Sequence, residues 1–578
     1  MEWIGSCVFL PLTFVVLLSA FNGRLCQRLR RSRVIAVLEK KLEDADRCYW
    51  LWFALCMLLG VFSRCYRFVE LPLGINQDGL MAGTEAISLL MNGTDQYGMS
   101  WPTYFEAWGF SQMSTLYSYL LIPFFAVLGV SKFTLRLPML LVSIAMLLVM
   151  WDLARRIAGK GFALTVLLLT AINPWHILQS RWALEANLMP HVVLMGVYLL
   201  YIGLKKRWAL YLSMVFFGLA PYAYGVACFS VPILLVCAAV FCLARRRVKV
   251  GDLVVCVLIF AAVAGPYFYT MAINAFGLET AYIGSITMPY FEKSLRTQDL
   301  AFMQDDPYYW VVNNLFDHLG VWLFRAGDTP YNVIDWTGTL YVFMPPVVLF
   351  GLYSLWQDRR NLALHGDECP MRDGGMILLL WMAAVTCCGA LIGGVVNRNN
   401  VLFYPLIMFG AYALYQMGRR LRTGLAVMVF MLLISFAGLN WTYFTDEAYQ
   451  NTVGDSNSNG QYEALVDVWD WDYDKLYITT IQETAHVRFM QASVMFAHEI
   501  DYSARNDERE LTGPDGKPSG RYFTNRYVFT DFEDFVPDPM EKSVYVVPQG
   551  YLHLFDREMF EITDYHNFAA VYPKYWLE

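Results

Sequence analysis

Four stretches of this sequence gather residue types suited to acid–base and phosphate chemistry. RFVELPLGINQDGLMAGTEAISLLMNGTDQYG (Arg67–Gly98) carries Asp78, Glu85 and Asp95. A carboxylate there can take a proton from an acceptor hydroxyl or hold a divalent ion. NPWHILQSRWALEANLMP (Asn173–Pro190) places His176, Arg181 and Glu185 close together, FRAGDTPYN (Phe324–Asn332) adds Arg325 and Asp328, and VVNRNN (Val395–Asn400) adds Arg398 among amides that include Asn397. Arg136 opens a further apolar run as Arg-Leu-Pro. Cations beside carboxylates suit a phosphate leaving group with a base next to it. Each residue alone has a plainer reading: a solvated acid, an arginine snorkelling to headgroups, a histidine at an interface. The grouping is the signal, because ionisable side chains near a membrane face are costly and rarely idle.

The elements that carry these residues are membrane spans. Only 16% of the 578 residues are charged and 57% are hydrophobic, against about a quarter charged in a soluble domain. The net charge of −7 and the lack of a large basic face exclude nucleic-acid binding. Most of the 12 cysteines lie in apolar runs and none follows Phe444, so the polar tail must be held by its own core; no Cys/His spacing resembles a zinc site. The run Trp3 to Phe21 reads as a retained anchor and not a cleaved signal.

Spanning takes roughly 20 apolar residues, and cytoplasmic loops keep Lys and Arg. Arg24–Arg33 therefore marks the cytoplasmic side. Further apolar runs fall near 49–63, 136–157, 161–175, 188–204, 208–220, 226–244, 250–272, 337–356, 375–393, 399–416 and 423–441. Every turn alternates correctly if the run 113–130, interrupted by Pro123, lies in the interface and does not span. The expectation is an α-helical polytopic membrane protein with one N-terminal anchor and about eleven core spans. Three units follow: an anchor with its basic linker at 1–47, a membrane domain at 48–441 with outer loops at 65–135 and 273–336, and an outer domain at 442–578. In the last, Lys475–Thr480 and Ser543–Pro548 alternate as strands and Thr484–Ile500 has helical spacing, predicting a small α/β domain; Asn506–Gly520 reads as an exposed loop.

On PLGINQD (Pro72–Asp78), NGTDQYG (Asn92–Gly98), LGVSKFTLRLP (Leu128–Pro138), NPWHILQSRWALEA (Asn173–Ala186), AGDTPYN (Ala326–Asn332) and VNRNN (Val396–Asn400), the sequence resembles the bacterial polyprenyl-phosphate-sugar-dependent glycosyltransferases. These are membrane enzymes of the GT-C class, family 39-like, which includes the protein O-mannosyltransferases and the aminoarabinose transferase acting on lipid A. The resemblance covers about residues 48–441. It implies transfer of a sugar, with inversion, from a polyprenyl-phosphate carrier to an acceptor hydroxyl on the outer face. It further implies Asp78 as general base, Glu185 as a second acid, Arg136 at the donor phosphate and Arg398 as a weaker phosphate contact. Arg181 joins them as a phosphate candidate, and Glu85, His176, Asn397, Arg325 and Asp328 complete the candidate site.

One departure stands out: the family pattern has Asp-Glu, and here Gly79 follows Asp78. That leaves three options: metal independence, substitution by Glu85, or impaired activity. No cofactor is required by this reading, and a divalent metal ion stays open. Trp101, Tyr104, Trp108, Tyr117 and Tyr119, around the interfacial run, could line the lipid's route or form an ordinary aromatic belt. The expected partners are the lipid-linked donor, a protein, lipid or cell-wall glycan acceptor, and membrane lipid, in a bacterial plasma membrane. The competing readings are a transporter or flippase for a lipid-linked intermediate, which should place charges near the midplane, and a non-catalytic scaffold.

Overall fold

The structure is a computed structural model that describes residues 3–45, 48–109, 111–292, 300–323, 328–365, 369, 371–480, 484–501, 503, 508–512, 518–532 and 535–577. A π-helical turn (Ile4–Phe9) leads into α1 (Leu10–Phe21), which packs as a continuous apolar rod on the bundle. The basic linker forms α2 (Gly23–Arg30) and α3 (Arg33–Ala45); Glu39 of α3 accepts the backbone N–H groups of Arg422 and Thr423, tying linker to bundle.

The first half of the bundle comprises α4 (Tyr49–Cys65), α5 (Gln77–Asn92), α6 (Leu116–Leu128), α7 (Lys132–Ile172), α8 (Pro174–Gln179), α9 (Glu185–Gly203), α10 (Arg207–Ala223), α11 (Ala227–Ala244) and α12 (Val250–Phe276). The second half comprises α13 (Pro307–Leu323), α14 (Met344–His365), α15 (Arg372–Ile392), α16 (Val396–Asn399), α17 (Phe403–Arg420) and α18 (Arg422–Thr445). Eight of the described helices are long and apolar enough to cross a membrane. One of them, α7, breaks at Ala158 and Gly159, where Gly159 takes φ +85°, a conformation open to glycine. The runs 136–157 and 161–175 are its two arms.

Two expectations need correcting. The helix expected as a span from 337 begins at Met344 and is not among the eight, because residues 328–343 form an irregular strap that serves α8: Thr339 O accepts from Asn173 Nδ2 and from Trp175 N–H. The interfacial run is a helix, α6, yet Tyr117 on it is fully buried and donates to Leu135 O, so this residue is core and lines no lipid route. It follows a small hairpin of β1 (Phe105–Ala107) and β2 (Ser111–Met113); a second hairpin, β3 (Ala281–Ile283) and β4 (Ile286–Met288), follows α12.

The C-terminal part starts with α19 (Glu447–Ser456) and α20 (Gln461–Asp467) and builds a seven-stranded sheet. Its strands are β5 (Lys475–Thr479), β6 (Arg509–Thr512), β7 (Pro518–Phe523), β8 (Tyr527–Thr530), β9 (Ser543–Pro548), β10 (Phe560–Tyr565) and β11 (Phe568–Pro573), ordered β10-β11-β9-β5-β8-β7-β6. Central β5 runs parallel to both neighbours, and α21 (Thr484–Ala497) covers one face. The loop expected at 506–520 is in part the edge pair β6–β7; an edge strand can be as polar as a loop, which hid it.

Candidate functional site at one end of the bundle

The end of the bundle away from the Lys/Arg clusters is closed by three irregular stretches and the start of α5. Asn76 caps α5 by accepting the Asp78 N–H at 3.0 Å, which fixes Asp78 in the first turn. A helix N-terminus favours a negative charge at that place. Gly79 explains the departure from Asp-Glu. A Cβ there would meet Ala183 O at 2.7 Å, so α5 touches the turn before α9 backbone to backbone.

The turn between α8 and α9 is held by its ionisable groups. Arg181, fully buried, donates to the carbonyls of Ser63, Arg64, Tyr66, Arg67 and Leu71 and to Tyr443 Oη, with its guanidinium also over the Tyr443 and Phe444 rings. Arg136 donates to Val69, Pro72 and Gly74 carbonyls. Both guanidinium groups, expected at a donor phosphate, thus grip the segment that leads to Asp78. His176 joins a buried chain: Arg64 Nη2 lies 2.7 Å from its Nδ1, its Nε2 lies 3.0 Å from Tyr404 Oη, and that hydroxyl lies 2.6 Å from His191 Nδ1. Glu185 opens α9 and accepts the Ser114 N–H after the first hairpin.

The other two stretches knit to the same turn. Asp328 Oδ1 accepts from Thr329 N, Thr329 Oγ1 and Asn332 Nδ2, and its Oδ2 accepts from Val396 N at 2.8 Å. Gln179 Nε2 donates to Asn332 Oδ1 at 3.0 Å, and the Trp182 and Tyr331 rings meet at 4.7 Å. Burial pushes the Tyr331 phenol upward against the Thr329 hydrogen bond, with the charges of Asp78 and Asp328 adding to the rise. Arg398 Nη1 donates to Ile392 O at 2.6 Å. Arg325 lies outside the described residues.

Glu85, the substitute offered for the missing glutamate, lies apart from Asp78. It is fully buried, roughly 10 Å along α5 from Asp78, where its Oε2 accepts the Gln96 N–H and its Oε1 has no partner among the described residues. Burial and the nearby Asp95 push Glu85 well up, and burial raises Asp95 to about 6. Among the described residues, no three His, Cys, Asp or Glu side chains are grouped to hold a metal ion. Gln179, Trp182, Tyr331 and Asn332 escaped the sequence reading; all lie inside or beside the quoted motifs, but neutral side chains gave no electrostatic signal.

Residues 113–287 match the family model described as dolichyl-phosphate-mannose-protein mannosyltransferase. The matched segment holds Arg136, His176, Arg181 and Glu185 and stops short of Asp78 and Arg398. Among solved structures the chain is similar to ArnT from Cupriavidus metallidurans in the apo state, at 12% identity over 91% of this chain and 98% of that one, with a TM-score of 0.46. It is also similar to the same protein bound to undecaprenyl phosphate (11% identity, 90% and 97% covered, TM-score 0.47) and to the apo oligosaccharyltransferase of Archaeoglobus fulgidus (12%, 77% and 64%, TM-score 0.42). A comparison with curated proteins found no match. The family match supports the resemblance read from the motifs, to glycosyltransferases of the GT-C type.

Proposed function

We propose that the chain transfers a sugar from a polyprenyl-phosphate carrier to an acceptor hydroxyl at the outer membrane face. The observation that carries this is that backbone contact, hydrogen bonds and a ring contact join the stretch 76–79, which holds Asp78, to 179–185, 328–332 and 396–398 at the basic-poor end of the bundle. Asp78 takes the acceptor's proton. The acceptor oxygen attacks the anomeric carbon from the side opposite the phosphate, the carbon–oxygen bond to phosphate breaks, and the polyprenyl phosphate leaves with the electron pair, inverting the centre. Arg398, with one described hydrogen bond to a carbonyl, is the cation assigned to the departing phosphate. Arg136, Arg181 and His176 act as positioning residues. Glu185 holds the first hairpin against α9.

The orientation follows from the basic clusters, which face the cytoplasm and put the C-terminal domain outside. The test is reconstitution: protein in liposomes, supplied with a polyprenyl-phosphate donor carrying a labelled sugar and with membrane lipid, protein and cell-wall acceptors. Label should move to one acceptor class. Label that stays on the carrier but crosses the bilayer would instead make the protein a flippase.

A further inference from the structure

Gln179 Oε1, Trp182 Nε1 and Asn397 Oδ1 are buried and have no hydrogen-bond partner among the described residues. Gln179 and Trp182 are 1% and 3% exposed. Leaving such an atom unmet is costly, and native proteins keep few of them without a reason.

Hydrogen bonds and a ring contact link the stretches that carry these three atoms. The other amide atom of Gln179 binds Asn332, Asn332 binds Asp328, and Asp328 binds the backbone N–H of Val396, next to Asn397. Trp182 lies against Tyr331, and its neighbour Ala183 touches Gly79, the residue after Asp78. Arg181 is taken up by carbonyls and Tyr443, and the three unmet atoms are neutral: one donor and two acceptors, beside a pair of aromatic rings.

That set complements a sugar ring. Hydroxyl protons suit the two amide oxygens, a hydroxyl or ring oxygen suits the indole N–H, and the apolar C–H face of a pyranose or furanose suits an aromatic ring. We propose that Gln179, Trp182 and Asn397, with Tyr331, bind the hydroxyls of a neutral sugar on the lipid donor and hold it beside Asp78. The choice of donor rests on the glycosyltransferase reading; the sugar pocket itself is tested by binding alone.

The experiment measures affinity of the full-length protein in nanodiscs for bare undecaprenyl phosphate and for the same carrier bearing mannose, glucose, galactose or arabinose. At least one sugar-bearing carrier should bind more tightly than the bare one. Trp182→Phe keeps the ring and removes the N–H; it and Asn397→Ala should each weaken that carrier about tenfold, the size of one lost hydrogen bond to a buried group. Bare-carrier affinity should hold, which also shows that the variants fold. Equal affinity for all carriers, or equal losses for bare and sugar-bearing ones, would overturn the proposal. Turnover on the same samples separates the two ideas: sugar-dependent binding without transfer supports the pocket and rejects the glycosyltransferase.

Discussion

Position 79 is a case where backbone proximity, and not chemistry, decides the residue. With a Cβ 2.7 Å from Ala183 O, any side chain there must push α5 away from the turn before α9. Gly79→Glu, which restores the family's paired acids, should therefore lower transfer, by about tenfold for a displacement costing 1–3 kcal/mol, and should create no metal requirement. Activity that rises with added divalent metal would contradict this. The buried Glu85–Asp95 pair carries its own pH signature. Both acids are raised in the fold, so their contribution to stability is complete below their unfolded values and is lost as pH climbs from there through the folded ones, a loss finished just above about 6 for Asp95. Glu85→Gln removes one charge and leaves the Gln96 N–H its acceptor. Thermal melts from pH 4 to 8 should show the variant gaining on the wild type as pH rises; a constant gap would contradict the assignment.

At the level of elements, two arginines fasten the approach to Asp78. Arg181 joins the turn after α8 to the end of α4, and Arg136 joins α7 to the segment 69–74. A lysine offers three donors on one nitrogen and cannot replace a fork reaching five carbonyls. Arg181→Lys should cost on the order of 3 kcal/mol, read as a lower unfolding temperature together with reduced transfer. Loss of donor binding at an unchanged unfolding temperature would instead make Arg181 a phosphate contact. The sequence marked these residues because arginine at that end of a bundle is unusual. It could not show their partners: a carbonyl acceptor is the same for every residue type. The same limit hid the strap at 328–343, whose apolar residues pass for the start of a span, and the β6–β7 edge, whose polar residues pass for a loop. The eight long apolar helices, the helix break near 158 and the central strands were legible because their hydrophobic periods are long and regular.

Across the whole molecule, the C-terminal domain bears directly on the helix that carries Asp78. Asn457 O accepts the Ile75 N–H, Asn457 Nδ2 donates to Leu73 O, Thr84 Oγ1 donates to Ala492 O, and Phe496 lies against Gly83. Lys132 and Glu463 pair at 3.0 Å; burial opposes the charge on Glu463, but Lys132 keeps the carboxyl below its usual range. Gly74 takes φ +71° with Asn457 O only 2.2 Å from where a Cβ would stand. Gly74→Ala should lower transfer severely while the helical circular dichroism of the membrane domain is retained. Full activity would show that the domain sits on α5 without positioning it.

Asp78 is the proposed base. Asn fits the same volume and keeps its backbone N–H on the Asn76 cap, so Asp78→Asn should leave the unfolding temperature and the affinity for the sugar-bearing polyprenyl-phosphate carrier nearly unchanged. Its rate of sugar transfer should fall by about 100-fold or more, the scale of a lost general base. Transfer by Asp78→Asn at the wild-type rate would contradict the account.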